Sequence, residues 1–166
     1  YALPGGKVGV NTGIFGVAKN QDQLAAVIGH EIGHVVERHH DERITRQMGA
    51  AGAVQLLGAR AGDYGQLAAQ GGGLLAQTGF LLPGSRAQES EADVVGQRMM
   101  AQAGFDPRAA VALWQNMIAA GGSRPPQWLS THPDPQARIS ELQARANQLV
   151  PTYEQARAAG RRPQCG

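Results

Sequence analysis

His30, Glu31 and His34 fall within one pentapeptide, His-Glu-Ile-Gly-His, at residues 30–34. Two histidines four residues apart leave the same face of a helix one turn apart, so both imidazoles can reach a single metal ion if this stretch is helical. The set is incomplete by itself, because a catalytic zinc takes three protein ligands and keeps its fourth position open. The missing ligand has to come from another element packed against this helix. The pentapeptide therefore constrains tertiary structure as well as local conformation. Glu31, beside the first histidine, is placed to take a proton from a water whose pKa the metal lowers from 15.7 to about 7. Five residues also recur on ordinary surface helices, so the rest of the chain must decide.

The flanking residues favour the helix. Asn20 is a candidate N-cap with Gln23 three positions on, as in a capping box. Leu24, Val27, Ile28 and Val35, with Ile32 slightly off axis, supply the apolar stripe. His39 and His40 fall off the ligand face and read as solvated residues near the helix C-terminus, where positive charge is favoured. Upstream, Val8 and Val10 alternate with small or polar residues between glycines, which predicts a short strand ending in a turn within residues 5–15. Such an edge strand could also take an extended peptide through main-chain hydrogen bonds.

Residues 85–104 predict a second helix, capped by Ser85 and stopped by Gly104. A third follows with Asp106 as cap and Pro107 at its first position. A proline-rich loop over 124–135 leads to a last helix from Asp134 and Pro135 through about Leu149. With no internal repeat and 166 residues, the chain reads as one α+β domain, predominantly helical, with a small N-terminal β element.

The second helix offers the missing ligand. Glu89 and Asp93 are four residues apart and share a face, whereas Glu91 lies on another and is the poorer candidate. One of the two carboxylates can bind the metal while the other accepts the N–H of a ligand histidine and fixes its tautomer. A solvated acidic patch is the usual fate of such a cluster, but beside the pentapeptide that reading loses its force.

Net charge is +2, and the basic pI near 9.0 rests on a small arginine excess that includes Arg157, Arg161 and Arg162. No basic stripe is interleaved with aromatics, which argues against nucleic-acid binding. The single cysteine, Cys165, permits no internal disulfide. The chain begins at Tyr1 with no initiator methionine and no apolar signal segment, so it reads as an excised core with any targeting or anchoring segment upstream. Residues 47–85 are rich in Gly, Ala, Leu and Gln, and the stretch from 64 to 85 is uncharged. The Gly71–Gly73 run, several glutamines and Pro83 make a mobile helical hairpin covering a site the better expectation than a membrane span.

Four motifs, Leu-Pro-Gly-Gly-Lys-Val-Gly-Val-Asn-Thr-Gly-Ile-Phe (3–15), the pentapeptide, Glu-Ser-Glu-Ala-Asp (89–93) and Ser-Thr-His-Pro-Asp-Pro-Gln-Ala-Arg (130–138), occur in a telling order. Their order and spacing resemble the zinc metallopeptidase family of the CAAX prenyl protease, which also includes the bacterial HtpX and BepA. The resemblance spans nearly the whole chain and is closest to soluble, BepA-like members. It implies a zincin-like (gluzincin) core with one Zn²⁺ held by His30, His34 and Glu89, and Asp93 behind the ligands. It also implies roles for His132 and Arg138: the histidine steadies the oxyanion of the tetrahedral intermediate or, as in BepA-like members, reaches the zinc and holds the enzyme off. Against this stands His132 as a loop residue packed on Trp128. By the same resemblance the expected activity is endoproteolysis of misfolded or unassembled cell-envelope polypeptides in the bacterial periplasm or at the periplasmic face of the outer membrane. The rival from another class is a chaperone-like envelope protein with a latent metal site, using residues 49–82 as its client surface. A membrane-embedded prenyl-protein protease is disfavoured by the lack of clear spans.

Overall fold

The computed structural model describes residues 1–3, 5–60, 86–121, 132 and 135–165. Two two-residue strands, β1 (Ala2–Leu3) and β2 (Lys7–Val8), pair antiparallel through the turn at Gly5 and Gly6, both with positive φ. A 3-10 turn at Thr12–Gly16 leads into α1 (Gln21–Val36), followed by α2 (His39–Arg60), α3 (Arg86–Gln102), α4 (Ala109–Gly121) and α5 (Pro135–Ala158). The fold is thus predominantly helical with a small N-terminal sheet. The chain divides into two compact units, Tyr1–Glu37 with Gly84–Gly166, and Arg38–Pro83. Among the described residues no helix is long and apolar enough to cross a membrane.

The start of α1 is dictated locally. The Asn20 side chain accepts from the Gln23 N–H at 2.9 Å. Gln23 reaches back in turn, but its Oε1 takes the N–H of Lys19 at 2.7 Å and not that of the cap residue. Gly104 ends α3 with φ of 88°: Phe105 N–H bonds Met100 O at 2.9 Å and Gly104 N–H bonds Ala101 O at 3.1 Å, a Schellman close. Asp106 accepts from the Arg108 N–H at 2.9 Å, and the regular helix begins at Ala109, two residues after the expected Pro107.

In the first unit α1 lies against α3 at very close range. A Cβ on Gly29 would stand 2.9 Å from Gly96 O, and one on Gly33 would stand 2.6 Å from Ala92 O. Only the missing side chains let the two backbones meet in this way. The core beside them gathers Val27, Met100, Leu113, Trp114, Met117 and Leu142. Gln97, 3% exposed, donates to Pro107 O at 3.0 Å and Leu142 O at 2.9 Å, tying α3 to the α3–α4 connection and to α5.

Three expectations need correction. The strand expected within 5–15 shrinks to Lys7–Val8, because the chain coils into the 3-10 turn by Thr12. His39 and His40 are not solvated residues at the end of the first helix. Arg38 adopts φ of 58°, which breaks the helix, and His39 opens α2 at only 7% exposure. The last helix does not stop near Leu149 but continues through Pro151 to Ala158. Its C-terminal end is held by the buried Ala156 and by Arg161, whose guanidinium donates to Gln102 O at 2.8 Å. Ser85, most of the proline-rich loop and residues 61–85 of the hairpin expected within 47–85 lie outside the described residues.

Candidate metal centre

α1 presents His30 and His34 on one face, and α3 presents Glu89 to them from the other side of the glycine contact. His30 Nε2 and His34 Nε2 lie 3.1 Å apart. Glu89 Oε2 is 3.4 Å from His30 Nε2, and Glu89 Oε1 is 3.4 Å from His34 Nε2. Donors around one tetrahedral zinc at about 2.0–2.2 Å stand roughly 3.3–3.5 Å from each other, so these three fit a metal with little movement. His132 supplies a fourth nitrogen, and the four candidate ligand atoms all lie within 4.8 Å of one another. The donor chemistry, two or three imidazoles and one carboxylate, suits a borderline cation and not calcium or magnesium.

The residues behind the donors are as ordered as the donors. His30 Nδ1 lies 2.8 Å from Asp93 Oδ1, so its N–H points away from the cluster and the Nε2 lone pair points into it. Arg138 grips both carboxylates. Its Nε and Nη2 donate to Asp93 Oδ2 and Oδ1 at 2.7 Å each, and Nη1 donates to Glu89 Oε2 at 2.8 Å. The guanidinium rests on Trp114, 4.0 Å from the ring centroid. Glu89, Asp93 and Arg138 have side chains only 1%, 5% and 4% exposed.

Burial acts against charging His30 and Asp93, and their hydrogen bonds overcome it. For His30 burial lowers the pKa, but bonds to Asp93 and Glu89 leave it raised above the ordinary 6.5. For Asp93 burial raises the pKa, and bonds from His30 and Arg138 bring it down to about 2.

Glu31 sits at the mouth, its side chain 12% exposed, with Oε1 3.5 Å from His132 Nε2. Glu91 is exposed on α3, away from the cluster. Of the seven residues singled out from the sequence, His30, His34, Glu89, Asp93 and Arg138 are linked by direct contacts, Glu31 meets His132, and His132 joins the centre in the four-donor group. Arg138 is oriented toward Asp93 and Glu89, with little of it left for solvent. Trp114 and the pair Gly29 and Gly33 escaped notice, because an aromatic at core spacing and two helical glycines carry no chemical signature in a sequence.

The comparisons with known proteins agree with this geometry. The model of "Peptidase family M48" matches residues 1–146. The mitochondrial metalloendopeptidase OMA1 of Schizosaccharomyces pombe is 42% identical over 145 residues, which cover 86% of this chain and 42% of that protein. The beta-barrel assembly-enhancing protease of Escherichia coli (strain K12) is 33% identical over 165 residues, covering 93% of this chain and 34% of that protein. The OMA1 of Arabidopsis thaliana is 37% identical over 147 residues, covering 89% and 29%. The chain thus spans less than half the length of these relatives. No solved structure gives a significant match. With a family model matched over 146 of 166 residues, the chain belongs to peptidase family M48.

Proposed function

We propose that this chain is the catalytic core of a zinc metalloendopeptidase, with residues 1–166 acting as one catalytic domain. The observation that supports it most is the fit of His30, His34 and Glu89 to one tetrahedral ion with Glu31 at the mouth, in a chain of a peptidase family. When bound, Zn²⁺ supplies a water of lowered pKa and an electrophile for the scissile carbonyl.

The protein residues do the rest. Glu31 takes a proton from the attacking water and delivers it to the departing amine nitrogen. Asp93 keeps the His30 proton on Nδ1 so that Nε2 stays free as a ligand. Arg138 holds Glu89 and Asp93 in register, and Trp114 holds Arg138. His132 is read as a latch. Three protein donors leave a position for water, whereas a fourth closes the site, and the His132 nitrogen lies within the four-donor group.

Digestion of casein by the zinc-loaded protein beside Glu31→Gln tests the activity. The variant should retain about one zinc per chain and lose hydrolysis by roughly 10²–10⁴-fold. Hydrolysis that survives this change, or survives removal of the metal, would overturn the reading. Metal analysis of His34→Ala and Glu89→Ala tests the ligands: a full zinc equivalent in either variant removes that residue from the set. Two separate unfolding transitions in the intact chain would oppose a single catalytic domain.

The substrates we assign are misfolded or unassembled cell-envelope polypeptides in the periplasm, with an anchor upstream of Tyr1 providing any membrane association. The support is the likeness to proteins named for beta-barrel assembly over 93% of this chain. Cell fractionation checks the compartment. Recovery of the native protein from the cytoplasm or from mitochondria would remove this assignment.

A further inference from the structure

The face of α1 turned away from His30 and His34 carries a separate feature. Ala25, Ile28 and Ile32 of that face and Met99 of α3 line a slot of about 250 Å³ between the two helices. Along α1 the lining runs from Gln21 to Ile32, a rise of about 16 Å at 1.5 Å per residue. Spread over that length, the volume leaves a mean cross-section of only about 15 Å², far too narrow for a helix of about 10 Å diameter.

An extended peptide is excluded by its polar groups. It would bring an N–H and a C=O with every residue, each needing a partner once buried. None of the described lining residues is charged, and Gln21 is the one with a strong hydrogen-bonding side chain. Both ends of that amide already serve the C-terminal tail: Nε2 donates to Pro163 O at 2.9 Å, and Oε1 accepts the Cys165 N–H at 2.9 Å. A hydrocarbon chain makes no such demand.

One end of the slot differs from the rest. Arg161 crosses the chain at Gly104, where a Cβ would strike Arg161 O, and its guanidinium donates to Gln102 O at 2.8 Å. Gly104 stands between Ala103 and Phe105 of the lining, so an exposed cation marks this mouth. The nearby acids are already engaged: Asp22 Oδ1 accepts the Asp106 N–H at 2.9 Å, and Asp106 pairs with Arg108 at 2.7 Å.

We propose that the slot binds one free fatty acid, its alkyl chain lying between α1 and α3 and its carboxylate meeting Arg161. The width admits a single chain, the lining rewards one without polar groups, and the guanidinium at the mouth complements an anionic head. The site is independent of the peptidase reading, since no metal-centre residue lines it.

Calorimetric titration of the full-length, zinc-loaded protein with dodecanoate, below its micellar concentration, should give one molecule per chain. Decanoate and octanoate should bind more weakly, by about fourfold for each methylene removed. Dodecanol and dodecyltrimethylammonium should lose on the order of tenfold or more relative to dodecanoate. Ala103→Phe, at an exposed position of the lining, should block the mouth and abolish binding. Arg161→Gln should weaken dodecanoate on the order of tenfold and leave dodecanol unchanged. The head-group comparison needs no variant, so it decides the role of the carboxylate even where a substitution lowers stability.

The chain has four methionines, and NMR of their methyl groups locates the ligand. Dodecanoate should shift Met99 and Met100, which line the slot, and leave the exposed Met48 unmoved. Equal affinity for the cationic amphiphile, no dependence on chain length, or shifts at Met48 in place of Met99 would each overturn the proposal. So would shifts produced by phosphatidylglycerol vesicles and not by the soluble acid, which would assign the slot to a membrane surface.

Discussion

At the scale of single residues, the centre is a chain of dependencies in which each group has its state fixed by the next. His30 presents a lone pair because Asp93 holds its N–H, and Asp93 stays ionised because Arg138 and His30 bond it. The sign of the resulting pH effect follows from the direction of the shift. Asp93 titrates at about 2 in the folded chain, against an ordinary 3.8. Its contribution to stability is therefore complete above the unfolded value and disappears as pH falls through the folded one. The shift corresponds to about 2 kcal/mol. Urea midpoints of the metal-free protein should fall between pH 5 and pH 2. Asp93→Asn should start lower and fall less steeply over the same window. A variant as acid-sensitive as wild type would assign the effect to another carboxylate.

His132 carries the second prediction at this scale. If it closes the four-donor set as a latch, His132→Ala frees a position, and turnover of casein should rise severalfold at unchanged zinc content. A fall in turnover would make it a donor to the intermediate instead.

At the scale of elements, the contact between α1 and α3 carries most of the geometry. Gly29 and Gly33 precede His30 and His34 on successive turns, and both stand against the backbone of α3 at Gly96 and Ala92. The same approach that removes two side chains from the interface brings Glu89 to within 3.4 Å of both histidines. Gly33→Ala would place a methyl 2.6 Å from Ala92 O, so the helices must part. The expected result is a loss of about 1–3 kcal/mol in stability, together with weakened zinc affinity in a competition titration. If affinity is untouched while stability falls, the glycine serves packing alone.

The sequence made this arrangement legible only in part. The α1 cap and the Gly104 stop were readable because they depend on neighbours in sequence, Asn20 with Gln23 and Gly104 with Ala101. The end of the last helix was not, since Pro151 argues for a break and only tertiary contacts of Ala156 and Arg161 sustain the turns beyond it. His39 was misplaced for the same kind of reason: the left-handed Arg38 that starts a new helix has no compositional mark. Glu89 and Asp93 were recognisable as a pair by their spacing, whereas their common partner Arg138, forty-five residues beyond Asp93, was assigned through resemblance and not by any local rule.

At the scale of the molecule, the candidate ligands come from α1, α3 and the segment before α5, while Arg138 of α5 reaches the same centre. A metal bound there cross-links elements that are remote in sequence, and the unfolded chain presents no comparable site. Binding should therefore stabilise the folded protein by about 4 kcal/mol when free zinc exceeds its dissociation constant a thousandfold. For a chain of this length that is a rise on the order of 10 °C in Tm. Addition of a chelator should reverse the rise. Glu89→Ala should show little of it, because it removes a donor. Glu31→Gln should keep nearly all of it while losing turnover, because Glu31 is proposed as the base and not as a ligand. The contrast between the two variants separates holding the metal from using it. Equal thermal shifts in both would mean that Glu89 is not a ligand.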